Sequence, residues 1–367
     1  MSVREATAAE LAAWDGLTVD APGGHVYQSR AWGEHRATLG WTPLHLMLDD
    51  AHAALVLTRR WPLVGGASAY VPRGPITAGE PGDAAARRVA ELAAWLARRS
   101  VDVVASDAEV PAAQADYGRS LRAAGFRPIP EIQPSRHRVS LALARDTDDA
   151  AVRAGCSKAT RQRISAAEGA GIAIARYDRA GWDEGGRRSL FELPTRSLDD
   201  ALGDFATLLE ATGERRGFRF GPREAFLAWW RRAHDAGHLA YLEATDVVAG
   251  PLGGLILYRH GGRLSTVHSG DVAAARERFP GVMHLLRWRA IQLAIREGCT
   301  EMDLGGVDAA PDHREPVTGD PMAGLYEHKR SFGAEWVEMT GAHERVLRAW
   351  RYGAGRLAAR IVRAAGR

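Results

Sequence analysis

Apolar positions along the chain fall into short strand-like runs and longer stretches at helical spacing, and the two kinds follow one another in nearly the same order in both halves. In the first half, Thr7–Trp14 predicts a short helix, with Thr7 and Glu10 spaced as a capping box. Leu44–Leu48 and Ala53–Leu57 predict strands joined by a polar turn at Asp49-Asp50, and Ala69–Val71 leads into the turn Pro72-Arg73-Gly74-Pro75. Asp83–Arg99 carries Val89, Leu92, Trp95 and Leu96 at helical spacing. Val101–Val104 predicts a buried strand, Tyr117–Ala124 a helix stopped by Gly125, and His137–Leu143 an alternating strand.

The second half repeats this order. Lys158–Glu168 predicts a helix closed by Gly169, and Ile172–Ala175 a strand. Leu202–Thr212 and Arg223–Ala236 predict helices. Leu239–Ala244, Pro251–Tyr258 and Arg263–His268 form three successive strand patterns with turns at Thr245-Asp246 and His260-Gly261-Gly262. Val282–Glu297 is a long helix, apolar on much of its surface and stopped by Gly298, and Glu301–Leu304 is the next strand. The implied class is α/β (α+β), two copies of one unit in 367 residues. The change of pattern near Ala144–Asp149 sets the expected domains at 1–146 and 147–340.

Composition narrows the classes. With 46% apolar and 25% charged residues the chain is neither fibrous nor low-complexity. No apolar run reaches the roughly 20 residues of a membrane span. The start, MSVREATAAE, predicts no secretory leader, and two cysteines, Cys156 and Cys299, offer neither a disulfide framework nor a metal-ligand spacing. A cytoplasmic location is the expectation. The net charge of +3 does not by itself indicate nucleic acid, but of 48 basic residues only Lys158 and Lys329 are lysines. Where arginine is the rule, a retained lysine points to a need for an ammonium. Lys158, Arg161 and Arg163 form a basic helix start, with Lys158 and Arg161 on one face, suited to tRNA phosphates or to solvent. The tail Glu344–Arg367 has seven arginines against one glutamate. With Val346, Leu347, Trp350, Leu357, Ile361 and Val362 it predicts a basic amphipathic helix. Such a helix either packs on its own domain or lies on an anionic surface, such as the inner face of a membrane.

Six segments carry the specific signal: Gln28-Ser29-Arg30-Ala31-Trp32 with Arg36 and Trp41; Tyr70-Val71-Pro72-Arg73-Gly74-Pro75; Lys158-Ala159-Thr160-Arg161-Gln162-Arg163-Ile164; Thr212-Gly213-Glu214-Arg215-Arg216-Gly217-Phe218; Asp303-Leu304-Gly305-Gly306-Val307; and Gly324-Leu325-Tyr326-Glu327-His328-Lys329-Arg330-Ser331-Phe332-Gly333. In this order the chain resembles the FemABX family of tRNA-dependent peptidyltransferases, which add amino acids to peptidoglycan precursors. The resemblance implies two tandem GNAT-like acyltransferase domains, with 341–367 returning to the first. It implies transfer of an amino acid from aminoacyl-tRNA to an amine of a muropeptide or related peptide, lipid-linked or nucleotide-linked, with no cofactor, no metal and no covalent enzyme intermediate, by a chain expected to act as a monomer.

By that resemblance Lys329 is the functional lysine of the Lys…Phe-Gly motif, its ammonium offsetting charge on the tetrahedral intermediate or the departing ribose oxygen. The family has Phe before that lysine, where this chain has His328. Arg215 and Arg36 match basic residues that grip the diphosphate of the acceptor. Asp107 lies where the family has an acidic residue near the acceptor, a position that a turn aspartate also suits. His268 stands where relatives carry an aromatic residue. Asp303 either orients a substrate or bonds its own glycine turn, and Tyr326 and His328 join the substrate-binding set beside Lys329. Two rival readings stay open. One is an acyl-CoA-dependent N-acyltransferase, whose pyrophosphate loop would be Arg278-Phe279-Pro280-Gly281-Val282-Met283, although Pro280 removes a donor and Met283 is bulky. The other is a non-catalytic protein that binds a muropeptide or tRNA.

Overall fold

The computed structural model describes residues 3–49, 51–75, 79–133, 135–179, 190–216, 221–307 and 313–365. The elements run β1 (Arg4–Glu5), α1 (Ala8–Ala12), α2 (Trp14–Thr18), α3 (Arg30–Thr38), β2 (Thr42–Met47), β3 (Ala53–Arg60), β4 (Ala67–Val71), α4 (Gly82–Ala97), β5 (Val101–Ser106), α5 (Ala115–Ala123) and β6 (Arg127–Pro128). They continue with β7 (His137–Ala142), α6 (Asp149–Gly155), α7 (Lys158–Gly169), β8 (Ala173–Tyr177), α8 (Leu198–Arg216), α9 (Arg223–Asp235), β9 (Leu239–Asp246), β10 (Gly250–His260) and β11 (Arg263–Asp271). The last are α10 (Val282–Arg296), β12 (Glu301–Asp303), α11 (Ala323–Arg330), β13 (Glu335–Glu338), β14 (His343–Val346) and α12 (Ala349–Ala365). The Thr7–Glu10 capping box forms as the spacing predicts.

Two seven-stranded sheets result, ordered β1-β2-β3-β4-β5-β14-β6 and β13-β7-β12-β11-β10-β9-β8. The duplication read from the pattern is a duplication of topology. In each sheet an antiparallel meander (β2-β3-β4 or β9-β10-β11) leads through a long helix (α4 or α10) to a parallel neighbour (β5 or β12). A further strand, β14 or β7, then adds antiparallel to that neighbour. Met1–His137 with Val337–Arg367 form one compact unit, and Arg138–Trp336 the other. The division falls before the pattern change at Ala144–Asp149, because the strand His137–Leu143 spends its hydrogen bonds on β12 of the second sheet.

In the first unit Leu46, Val56, Val71 and Val104 of the sheet bury against Val89, Leu92 and Leu96 of α4. In the second, Leu242, Leu255, Leu257 and Leu264 bury against Leu285, Leu286, Trp288 and Ile291 of α10. The tail departs from the expected single helix. His343–Val346 is a strand, because β5 and β6 each offer it a free edge, and α12 starts only at Ala349. Its packed side is anchored by Arg351 Nε, which donates to Asp102 at 2.9 Å, and by Gly355, where a Cβ would lie 2.4 Å from the Trp61 ring. Trp350, Leu357 and Ile361, one helical stripe, are 73%, 60% and 55% exposed.

One irregularity of the second sheet sets up its chemistry. β11 and β12 pair only through Arg263–Glu301, Leu264–Met302 and Ser265–Asp303. From Thr266 to Asp271, β11 has no strand on that side among the described residues, and a bulge places Val267 between the pairs that Thr266 and His268 make with β10. The two parallel strands therefore diverge and leave backbone groups to be satisfied by something other than the sheet.

Candidate functional site

Lys329 sits at that divergence. α11 delivers it into the protein at 4% exposure, and its Nζ donates to the carbonyl oxygens of Gly305 at 2.8 Å and Gly306 at 2.7 Å. These carbonyls belong to the turn that follows β12. Gly305 has φ +83°, and a Cβ there would lie 2.6 Å from the Thr266 carbonyl oxygen and 3.3 Å from Lys329 Nζ. Only glycine lets the turn approach both β11 and the ammonium. Asp303 bonds the same turn, its Oδ1 accepting from Gly305 N at 2.7 Å. Burial pushes the Asp303 carboxyl up, against the pull of Arg138 and Arg263. Of its two expected roles, the structure displays the bond to the glycine turn.

His328 lies beside Lys329 and does not simply replace an apolar ring. Its imidazole meets that of His284 edge to face at 4.3 Å and the phenyl ring of Phe332 at 5.6 Å. His328 Nε2 is buried with no hydrogen-bond partner among the described residues. Burial, then Arg287, His284, Lys329 and Arg163, lower its pKa to about 2. His284 is lowered to about 4 by burial, then by Arg163 and Arg287. Arg287 is 2% exposed. Its Nη2 reaches Ser269 Oγ at 3.4 Å, its Nε has no partner, and it makes no ion pair among the described residues. Burial pulls even this guanidinium down to about 10. His284 and Arg287 were not singled out from the sequence. The available signal was two polar residues, three apart, on a helix otherwise apolar on that side.

The other candidates of this unit separate. Arg163 is exposed on α7 and contributes its charge to the His284–His328 pair. Its own carbonyl packs against Gly281, where φ is +92° and a Cβ would lie 2.4 Å away. Close approach of α7 to the start of α10 accounts for Gly281. Arg161 is engaged within the unit, its Nη1 donating to the carbonyls of Ala154, at 3.1 Å, and Cys156. That caps the end of α6. Lys158 is exposed. Tyr326 is 3% exposed, its hydroxyl donating to Glu315 and its ring edge-on to Trp336 at 5.6 Å, which makes it a packing residue. His268 lies among Phe226 at 5.4 Å and Trp230 at 5.6 Å, and burial lowers it to about 4. Those rings also line a small cleft with Glu210 and Arg223. Arg215 falls in the last turn of α8, and its side chain lies outside the described residues, as do Gly217 and Phe218 of the same motif.

The first unit holds a carboxylate-centred arrangement. Asp107 is 1% exposed. Its Oδ2 accepts from the Tyr70 hydroxyl at 2.8 Å and its Oδ1 from Arg73 N at 2.7 Å. Burial raises its pKa while Arg73 opposes the rise. Arg73 occupies the left-handed region at φ +50°, a strained backbone that Asp107 holds in place. Gln28 stitches the same loop. Its Nε2 donates to Pro72 O at 2.6 Å and its Oε1 accepts from Leu55 N at 2.7 Å, and a Cβ on Gly74 would strike its amide at 2.7 Å. Arg36, by contrast, makes no ion pair among the described residues. Its guanidinium carbon lies 5.3 Å from the ring centres of both Trp32 and Trp41, its Nε is unbonded, and burial lowers its pKa.

A family profile described as an acetyltransferase (GNAT) domain matches residues 160–330. No curated protein matches the chain in sequence. Among solved structures, FemX aligns over 96% of this chain and 99% of its own, with a TM-score of 0.76 at 16% identity. L-PGS from Bacillus licheniformis covers 97% of this chain and 98% of its own, with a TM-score of 0.53 at 13% identity. A conserved protein of unknown function from Bacteroides thetaiotaomicron covers 94% and 98%, with a TM-score of 0.51 at 12% identity. The chain thus consists of two tandem GNAT-like domains and is similar in fold to FemX, the likeness that its six sequence segments anticipate.

Proposed function

We propose that this protein is an N-acyltransferase that moves an aminoacyl group from tRNA to an amine of a peptidoglycan precursor or related peptide. The observation that carries this reading is a buried ammonium at the divergence of β11 and β12, fixed by two carbonyls of one glycine turn. An aminoacyl ester is already activated, so an attacking amine needs orientation and a cation near the developing oxyanion rather than a protein nucleophile. Lys329 supplies that cation. Arg36, half-buried against two indoles, suits a phosphate of the acceptor, and Arg215 is assigned to the same group. Asp107, with both oxygens engaged, positions the Arg73 loop rather than taking a proton itself. The test is transfer by the purified chain from a panel of charged tRNAs to muropeptides, beside acetyl-CoA. RNase-sensitive transfer is the expected result, and acylation from acetyl-CoA alone overturns the reading.

No helix among the described residues is long and apolar enough to cross a membrane. The outward stripe Trp350, Leu357 and Ile361, flanked by exposed Arg356 and Arg360, favours a peripheral contact of α12 with anionic lipid, where a lipid-linked acceptor would reside. Co-sedimentation with phosphatidylglycerol vesicles, lost in Trp350→Ser/Leu357→Ser, is the expected outcome; equal sedimentation of both proteins removes the membrane from the reading.

A further inference from the structure

Burying a guanidinium without a carboxylate is costly, and a chain that keeps one has a reason outside its own fold. Arg287 is such a group. Its one bond among the described residues is the 3.4 Å contact to Ser269. Among the described residues the carboxylate whose field reaches it is Asp271, which already accepts from Arg276 Nε at 2.7 Å and Nη2 at 2.8 Å. Ser269 lies on the part of β11 that has no strand toward β12. From α10 and α11, His284 and His328 meet at 4.3 Å with a buried, unbonded Nε2. Arg163 of α7 and Lys329 of α11 add charge of the same sign. The first turn of α10 has no side-chain cap, so its positive end adds to this field. Desolvation and, among the described residues, the lack of an ion pair for Arg287 and of acceptors for Arg287 Nε and His328 Nε2 converge at one place.

We infer that Arg287, His284 and His328, with Arg163 at the rim, form a phosphate-binding subsite beside the unpaired stretch of β11. A phosphate oxygen would accept from Arg287 Nε and Nη and from the two imidazoles, supplying the acceptors and the negative charge that the protein withholds. The uncharged arm of an acyl-CoA would leave Arg287 as costly as before. The pyrophosphate of an acyl-CoA would offer the same oxygens, so the source is assigned from the donor: on the aminoacyl-tRNA reading the phosphate belongs to a nucleotide beside the reacting ester, the 3′-terminal nucleotide of the donor RNA. This last step rests on the aminoacyl-tRNA reading; the phosphate itself does not.

Binding to the full-length protein tests it, with no transfer required. Inorganic pyrophosphate, an uncharged CCA-ended RNA hairpin and coenzyme A are titrated against wild type and Arg287→Met, and melting temperatures are recorded at matched ionic strength. Arg287→Met fills the same volume without the charge, so the ligand-free variant should melt several degrees higher than wild type. It should gain nothing from pyrophosphate, which raises the wild type, and should bind the hairpin at least tenfold more weakly. His328→Phe should lose part of the same affinity and remain folded. If Arg287→Met melts lower and still responds fully to pyrophosphate, Arg287 is a structural residue and the subsite is wrong. Arg287-dependent binding of coenzyme A but not of the hairpin keeps the phosphate subsite and overturns its assignment to RNA, and with it the aminoacyl-tRNA reading.

Discussion

Asp107 in the first unit and Arg287 in the second are almost equally deep, at 1% and 2% exposure, yet their surroundings are opposite. Asp107 has a phenol on one oxygen, a backbone N–H on the other and Arg73 within 3.8 Å. Arg287 has one long bond to a hydroxyl. The contrast separates two reasons for burying a charge. A carboxylate whose oxygens are taken up holds backbone in place, here the left-handed Arg73. A guanidinium whose donors are left over holds a place for a ligand. Lys329 lies between these extremes, bonded to two carbonyls that are dipoles and carry no full charge.

The largest effect tests that middle case. Lys329→Ala should lower transfer by about 100- to 1000-fold, the size of losing one preorganised oxyanion donor, while RNA binding stays within a few-fold. An equal fall in binding would make Lys329 a scaffold of the Gly305–Gly306 turn.

Asp107→Ala attacks the satisfied side of the comparison. It strands the donor of the Tyr70 hydroxyl and the Arg73 N–H and leaves the Arg73 charge to the more distant Glu109 at 3.9 Å, and should cost about 3–5 kcal/mol in denaturant unfolding, opposite in sign to Arg287→Met. Loss of turnover at unchanged stability would instead return Asp107 to the chemistry.

A change of pH sharpens the contrast without mutation. His284 and His328 titrate near 4 and 2 in the folded chain against 6.5 when free. As pH falls through 6.5 the unfolded chain takes up protons first. The stability due to neutral histidines is therefore complete above 6.5 and drains away as pH falls, down to about 4 for His284 and about 2 for His328. The double variant His284→Leu/His328→Phe should flatten that loss, and saturating pyrophosphate should do the same in wild type by favouring the charged imidazoles. An unaltered slope in both would remove the pair from the linkage.

The smallest expected effect concerns Arg36, the half-buried cation held against two indoles in the first unit. Arg36→Leu should leave the melting temperature within about 2 °C and raise KM for a diphosphate-bearing acceptor about tenfold, with kcat little changed. A KM unchanged for that acceptor, with or without its diphosphate, would leave Arg36 as an ordinary cation–π contact.

Much of the architecture was legible because it is local. The capping box at Thr7 and Glu10, the β9-β10-β11 meander and the glycine-stopped helices follow from period and turn chemistry. What the sequence left open depended on distant partners. Arg161 looks like any basic helix residue until the end of α6 is seen beneath it. Tyr326 becomes a packing residue only against Glu315 and Trp336. His343–Val346 becomes a strand because β5 and β6, more than 200 positions earlier, leave an edge open.

The sequence alone determined the two α/β units, the order of their elements and the rarity of lysine that drew attention to Lys329, since propensity, spacing and composition are properties of neighbours along the chain. Only the tertiary structure decided that Arg287, in a chain with so many arginines, is buried with no ion pair among the described residues. Desolvation and counter-charge are set by Ser269, Asp271, His284 and His328 together, and those four come from three separate elements that meet only once the sheet, α10 and α11 have packed.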